Sequence, residues 1–144
     1  MTQDPLRSVE LVRLAKGRYE ATNARGAKLV LGSGGEGVFS PVELLLTAIA
    51  GCSAADVDFI TSKRAEPSRF TVRMTGHKIR DEAGNRLTDL TLTFDVEFPV
   101  GEAGDAAREA LPRSVAQSHD RLCTVSRTVE VGTPIGVQIT DPGE

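Results

Sequence analysis

The run that opens at Ser40-Pro41-Val42-Glu43 limits the fold of this chain more than any other stretch. Ser40 can cap orphan amides, Pro41 suits the first helical position, and Glu43 can reach back to the Ser40 amide to close a capping box. Beyond it, Leu44, Leu45, Leu46, Ile49, Cys52 and Val57, with alanines between them, leave no polar face for about four turns. The pattern predicts a helix reaching Lys63 or Arg64, basic residues that suit its negative end, and stopping before Pro67. Such a helix should be buried nearly all round, with a sheet on one side and another helix or a second subunit on the other.

The flanking segments supply that sheet. Residues 8–14, 18–22 and 27–31 are short apolar runs separated by Gly17 and by the turn residues Asn23-Ala24-Arg25-Gly26, which predicts a three-stranded meander. After the helix, Phe70, Val72 and Met74 and then Leu90, Leu92, Phe94, Val96 and Phe98 alternate at period two, with Asp81-Glu82-Ala83-Gly84-Asn85 connecting a long hairpin. Helical character returns over 105–121, where Pro112 should kink or split the segment, and 136–140 offers a closing strand. The expected order is βββ-α-ββ-α-β, an α+β fold without internal repeats. The 144 residues fit one domain, 1–144, with core enough to fold without disulfides.

Composition narrows the function. Aromatic residues make up 4% of the chain, with one Tyr and no Trp, too few for a stacking platform or an aromatic cage. With 17 Lys+Arg against 20 Asp+Glu, the net charge of -3 argues against nucleic acid as a partner. Residues 1–5 lack the basic and apolar parts of a secretion signal, and no sequence run reaches the roughly 18 apolar residues of a membrane span, so the expectation is a cytoplasmic protein without a membrane partner.

Two cysteines, Cys52 inside the apolar helix and Cys123 past the second helical segment, are then the residues most able to do chemistry. A lone buried Cys is usually a small core residue, and that reading stands beside a reactive one. The segments around them favour reactivity. Ser40-Pro41-Val42-Glu43-Leu44-Leu45-Leu46-Thr47-Ala48-Ile49-Ala50-Gly51-Cys52, together with Ser118-His119-Asp120-Arg121-Leu122-Cys123-Thr124-Val125-Ser126, resembles the paired cysteine signature of the OsmC/Ohr family of hydroperoxide reductases. The glycine loop before the helix start belongs to the same resemblance, which covers most of the chain.

The resemblance implies an intertwined homodimer with two long helices packed back to back and active sites at the subunit interface. It also implies a peroxidase in oxidative stress defence, acting on organic hydroperoxides: Cys52 attacks, Cys123 resolves, and an outside dithiol, a dihydrolipoyl group in family members, reduces the disulfide. No cofactor is called for. Phe39, Leu44, Leu45 and Ile49 would reward an apolar peroxide tail by roughly 25 cal/mol per Å² buried. The chain departs from the family at the residues that tune the thiol. The typical branches carry a catalytic Glu directly after the helix-start proline, where this chain has Val42, and Glu43 follows one place and ~100° of helical rotation later. Glu43 therefore stands as either catalytic partner or cap, and Arg18, near but not at the family's activating arginine, as either activator or solvated turn residue. Arg25 and Arg127 are further candidates. These departures point to a less characterised OsmC-like branch.

Other readings are weaker. Gly32-Ser33-Gly34-Gly35-Glu36-Gly37 matches G-x-G-x-x-G, yet the following residues do not form a βαβ unit with a ribose-binding acid. His119 and Cys123 have helical ligand spacing, with Cys52 and His77 as remote partners for a zinc ion, but no local pattern joins the halves. Adjacent His119 and Asp120 diverge by ~100° on a helix and cannot form a hydrolase relay with Cys123. The rival from another class is a non-catalytic OsmC-like protein holding a small apolar ligand at the dimer interface.

Overall fold

The computed structural model describes residues 4–33, 35 and 37–140. Residues 1–3, Gly34 and Glu36 lie outside them, so the leader reading and part of the glycine-loop reading fall on residues not described. The described elements are β1 (Val9–Ala15), β2 (Arg18–Asn23), β3 (Lys28–Gly32), α1 (Pro41–Thr61), β4 (Arg69–Asp81), β5 (Gly84–Glu97), α2 (Glu102–Gln117), a π-helical turn (Ser118–Leu122) and α3 (Thr124–Glu130). The chain divides into two compact units, Met1–Thr47 and Ala48–Glu144, and the boundary falls within α1.

In the first unit the antiparallel meander β1-β2-β3 forms as the turn residues anticipate. Gly17 turns the first hairpin at φ 72°, a left-handed conformation that glycine takes without strain. Asn23 Oδ1 organises the second turn by accepting the amides of Arg25 at 3.0 Å and Ala27 at 2.9 Å. The capping box at the start of α1 is formed: Glu43 Oε1 accepts the Ser40 amide at 2.9 Å, and Ser40 Oγ accepts the Glu43 amide at 3.1 Å.

In the second unit β4 and β5 make one long antiparallel hairpin, with Phe70 opposite Val96, Val72 opposite Phe94 and Met74 opposite Leu92. These residues are shielded while their neighbours Thr71, Arg73, Thr93 and Asp95 face solvent, the solvated face that alternation implies. Phe70 and Phe94 pack edge to face with ring centres 6.4 Å apart. A bulge between Thr75 and His77 shifts the register, and Asp89 on the opposing strand takes φ 54°.

Several expectations are corrected. The helix ends at Thr61, with 62–64 folded as a turn, short of Lys63. It is also not buried all round in the single chain: Ile49, Ser53, Val57 and Thr61 form one buried stripe at i, i+4 spacing, while Val42, Leu45 and Phe59 remain exposed. A chain of this size offers too little surface to cover both faces. Moreover, α1 has 21 residues and a most apolar window of mean hydropathy 1.5, so by length and composition it could cross a bilayer, which the search for unbroken apolar runs overlooked. Its buried stripe packs on protein, and it carries Asp56 and Asp58. Pro112 neither splits nor ends α2; the backbone instead widens into the π-turn at Ser118. Finally, the closing strand expected over 136–140 is not formed: these residues belong to no sheet, and Ile135, Val137 and Ile139 are 89%, 85% and 93% exposed. Its period-two apolar pattern is that of a strand, but a strand needs an edge to pair with, and Pro134 and Gly136 weaken it further.

Candidate active site

Cys52 and Cys123 come together within the second unit. Cys52 lies on α1, one residue before the buried Ser53 and one turn before Asp56. Cys123 occupies the short extended link between the π-turn and α3, where its sulfur caps the helix by accepting the Ser126 amide at 3.4 Å. What draws the two segments together is polar: Ser118 Oγ, at the start of the π-turn, donates to Asp56 Oδ2 at 2.9 Å. Both cysteines are free, Cys52 half-buried and Cys123 fully buried at 0% exposure.

The two thiols lie close enough for each to affect the other's ionisation, and their surroundings act on them in opposite directions. Burial raises the Cys52 thiol, and so do its hydrogen bond to Cys123, the charge of Cys123 and the Asp56 carboxylate; the Val125 amide opposes them. None of these groups is a cation. Burial also pushes Cys123 up, but the Ser126 hydroxyl, the Ser53 hydroxyl, Cys52 and the Ser126 amide favour its ionised form and together bring the thiol below its ordinary value.

Beside this pair is a cavity of about 260 Å³, lined by Ile49, Met74, Leu90, Leu92, Ser126, Val129, His119 and Glu130. It is apolar except at one end. There His119 bridges two carboxylates, Nε2 to Glu130 at 2.9 Å and Nδ1 to Asp120 at 3.1 Å. Asp120 first and Glu130 second hold the imidazole above its usual pKa. The cavity reaches the thiols through Ser126, whose hydroxyl is 3.2 Å from Cys123 Sγ.

The other candidates each have their own local surroundings. Glu43 is committed to the capping box, and the Ser40 amide, then its hydroxyl, hold its carboxyl below the usual range. Arg18 opens β2, exposed, in register with Ala15 and Gly32. Arg25 is exposed in the Asn23 turn, and Arg127 is exposed on α3. His77 pairs with Asp89 at 3.3 Å, and among the described residues no cluster of three or more His, Cys, Asp or Glu could hold a metal ion. Sequence reasoning missed Ser53, Asp56 and Ser118. Ser126 was visible as part of the tail after the second cysteine but had no role.

A three-stranded meander, a long apolar helix and a hairpin, with one cysteine on the helix and the other beyond it, define an α+β thiol protein of the OsmC type. The sequence agrees: residues 33–138 match the family model described as OsmC-like protein, and the chain belongs to that family. It is 30% identical over 128 residues to an uncharacterized protein of Mycobacterium tuberculosis, covering 88% of this chain and 90% of that one. It is 32% identical over 110 residues to the protein YhfA of Escherichia coli, covering 75% and 78%. Among solved structures, an OsmC-like protein of unknown function from Vibrio cholerae superposes with a TM-score of 0.72 at 16% identity, covering 90% and 95%. The organic hydroperoxide resistance protein OhrB of Bacillus subtilis gives 0.52 at 15%, covering 85% and 90%. At these identities the structural likeness speaks to the fold.

Proposed function

We propose that this protein is a thiol-dependent peroxidase that reduces organic hydroperoxides to alcohols. The observation that carries the reading is the pairing of two free cysteines from distant parts of the chain beside an apolar cavity. Membership in a family whose structural neighbours include an organic hydroperoxide resistance protein supports it. Cys52, the more accessible sulfur, attacks the distal peroxide oxygen; an S–O bond forms, the O–O bond breaks, and the alkoxide leaves as the alcohol with the thiol's proton. Cys123 then attacks the sulfenic sulfur, the S–O bond breaks, and hydroxide leaves as water once protonated by solvent. A dithiol returns the disulfide to two thiols. The uncovered apolar residues of α1 and of 135–139 support a homodimer as the working form, checked by light scattering of the eluting species, where a monomer at all concentrations would exclude it.

The test is thiol consumption with cumene hydroperoxide in stopped flow, with dimedone to trap sulfenic acid. Wild type should lose two thiols per peroxide, Cys123→Ser should accumulate a dimedone adduct on Cys52, and Cys52→Ser should be inert. A wild type that does not react would overturn the peroxidase. It would favour the second reading, a binder of small apolar molecules, for which the raised Cys52 thiol and the cavity walls are the supporting observations.

A further inference from the structure

Two serine hydroxyls bear on the ionisation of the Cys123 sulfur, one from α1 and one from α3. Ser53 is 1% exposed on α1, and its hydroxyl has no hydrogen-bond partner in the resting structure. An unpaired buried hydroxyl costs on the order of 1 to 3 kcal/mol, so its persistence calls for a partner that exists in another state of the site. Ser126 is 7% exposed on α3; its hydroxyl accepts from the Cys123 thiol at 3.2 Å while its amide donates to the same sulfur at 3.4 Å.

We propose that Ser53 and Ser126 form a two-hydroxyl cradle for a negatively charged Cys123 sulfur, and are positioning residues that ready it to close the disulfide on Cys52. Loss of the Cys123 proton reverses the Ser126 bond: the hydroxyl rotates and donates to the sulfur that had donated to it. The same event gives Ser53 its missing acceptor. Three donors, two O–H and one N–H, are then available to one thiolate from α1 and α3: the Ser126 hydroxyl and amide already in contact with the sulfur, and the buried, unpaired Ser53 hydroxyl, which favours Cys123 ionisation. Of the titratable groups, Cys52 on α1 acts on this sulfur, and Asp56 acts in turn on Cys52.

The inference rests on the peroxidase reading for its consequence but not for its chemistry. When Cys52 is a sulfenic acid, a thiolate already formed on Cys123 attacks without a separate base. The S–S bond forms as the S–O bond breaks, and the departing hydroxide takes a proton from solvent. A cradle of neutral donors suits this step because it charges the sulfur without placing a cation that would bind the thiolate tightly and slow it.

The experiment titrates the 240 nm thiolate absorbance of Cys123 in a Cys52→Ser background, where no peroxide is involved. Ser126→Ala and Ser53→Ala should each raise the midpoint by about one pH unit, and Ser126→Thr should restore it. In the two-cysteine protein, the same alanines should slow disulfide closure by about tenfold at neutral pH, which lengthens the life of the Cys52 sulfenic acid and raises its capture by dimedone. Ser53→Ala loses no resting hydrogen bond and should fold as wild type, which circular dichroism checks. Midpoints that do not move would overturn the cradle even if peroxide is turned over, whereas shifted midpoints with no peroxide chemistry would leave the cradle standing and remove the peroxidase.

Discussion

Ser118 and Asp56, 62 residues apart in the chain, share a 2.9 Å hydrogen bond that joins the π-turn to α1 one turn beyond Cys52. The π-turn runs directly into Cys123, so this contact ties the segment that carries Cys123 to the helix that carries Cys52. Removing the hydroxyl in Ser118→Ala leaves a half-buried carboxylate short of a donor, at a cost of about 1 to 3 kcal/mol. Urea unfolding should register that loss, and diamide-driven disulfide formation should slow more than alkylation of Cys52. Equal slowing of both would mean the bond supports the fold alone.

Asp56→Asn keeps an acceptor for Ser118 but removes a charge that holds the Cys52 thiol high. The pH profile of Cys52 alkylation, measured in a Cys123→Ser background, should therefore move to lower pH. A profile that stays in place would assign the high Cys52 value to burial, its largest cause.

His119 tests linkage. Its folded pKa lies above the ordinary value because Asp120, then Glu130, stabilise the imidazolium. A raised pKa means that this stabilisation is fully present below the unfolded value of about 6.5 and is lost as pH rises through the folded one. The ring is half exposed, so screening keeps the effect under about 1 kcal/mol. Glu130→Gln should lower the His119 midpoint seen by NMR and flatten the stability difference between pH 6 and pH 8.

Gly104, in the first turn of α2, has no room for a side chain. A Cβ built there meets the Pro99 carbonyl oxygen, which belongs to rigid backbone. Gly104→Ala should destabilise by about 1 to 3 kcal/mol, visible as a lower Tm. An unchanged Tm would show that the Pro99 turn yields.

At the start of α1, Ser40→Ala should cost about 1 kcal/mol of stability. The Glu43 carboxyl is depressed, so its stabilisation is present above the ordinary carboxylate range and lost as pH falls through the folded value. Acid unfolding should start at higher pH when Ser40 is replaced. If Glu43→Gln slowed Cys52 oxidation at unaltered stability, the catalytic role offered by family resemblance would displace the cap.

Local patterns carried most of the fold. Alternation from Phe70 to Phe98, the Asn23 and Gly17 turns and the Ser40-Glu43 box all act over a few residues, and such effects are written in neighbouring letters. The centre was only half readable. Cys52 and Cys123 could be paired by resemblance, but Ser53, Asp56 and Ser118 are ordinary helix residues until the π-turn brings them together, and nothing local marks a π-turn. Residues 136–140 failed differently: Ile135, Val137 and Ile139 have a strand's pattern, and a pattern cannot supply the neighbouring edge.

The sulfur of Cys123 also serves as the first-turn acceptor of α3, receiving the Ser126 amide. Once bonded to a second sulfur, it can no longer carry the charge that makes that acceptor strong, so the helix end should fray on oxidation and tighten on reduction. Faster hydrogen exchange at the Ser126 amide in the oxidised protein would be its signature. Because Val129 and Glu130 of the same helix line the cavity, that fraying would reach the cavity wall, so the redox state of the cysteines would set how firmly the cavity is closed.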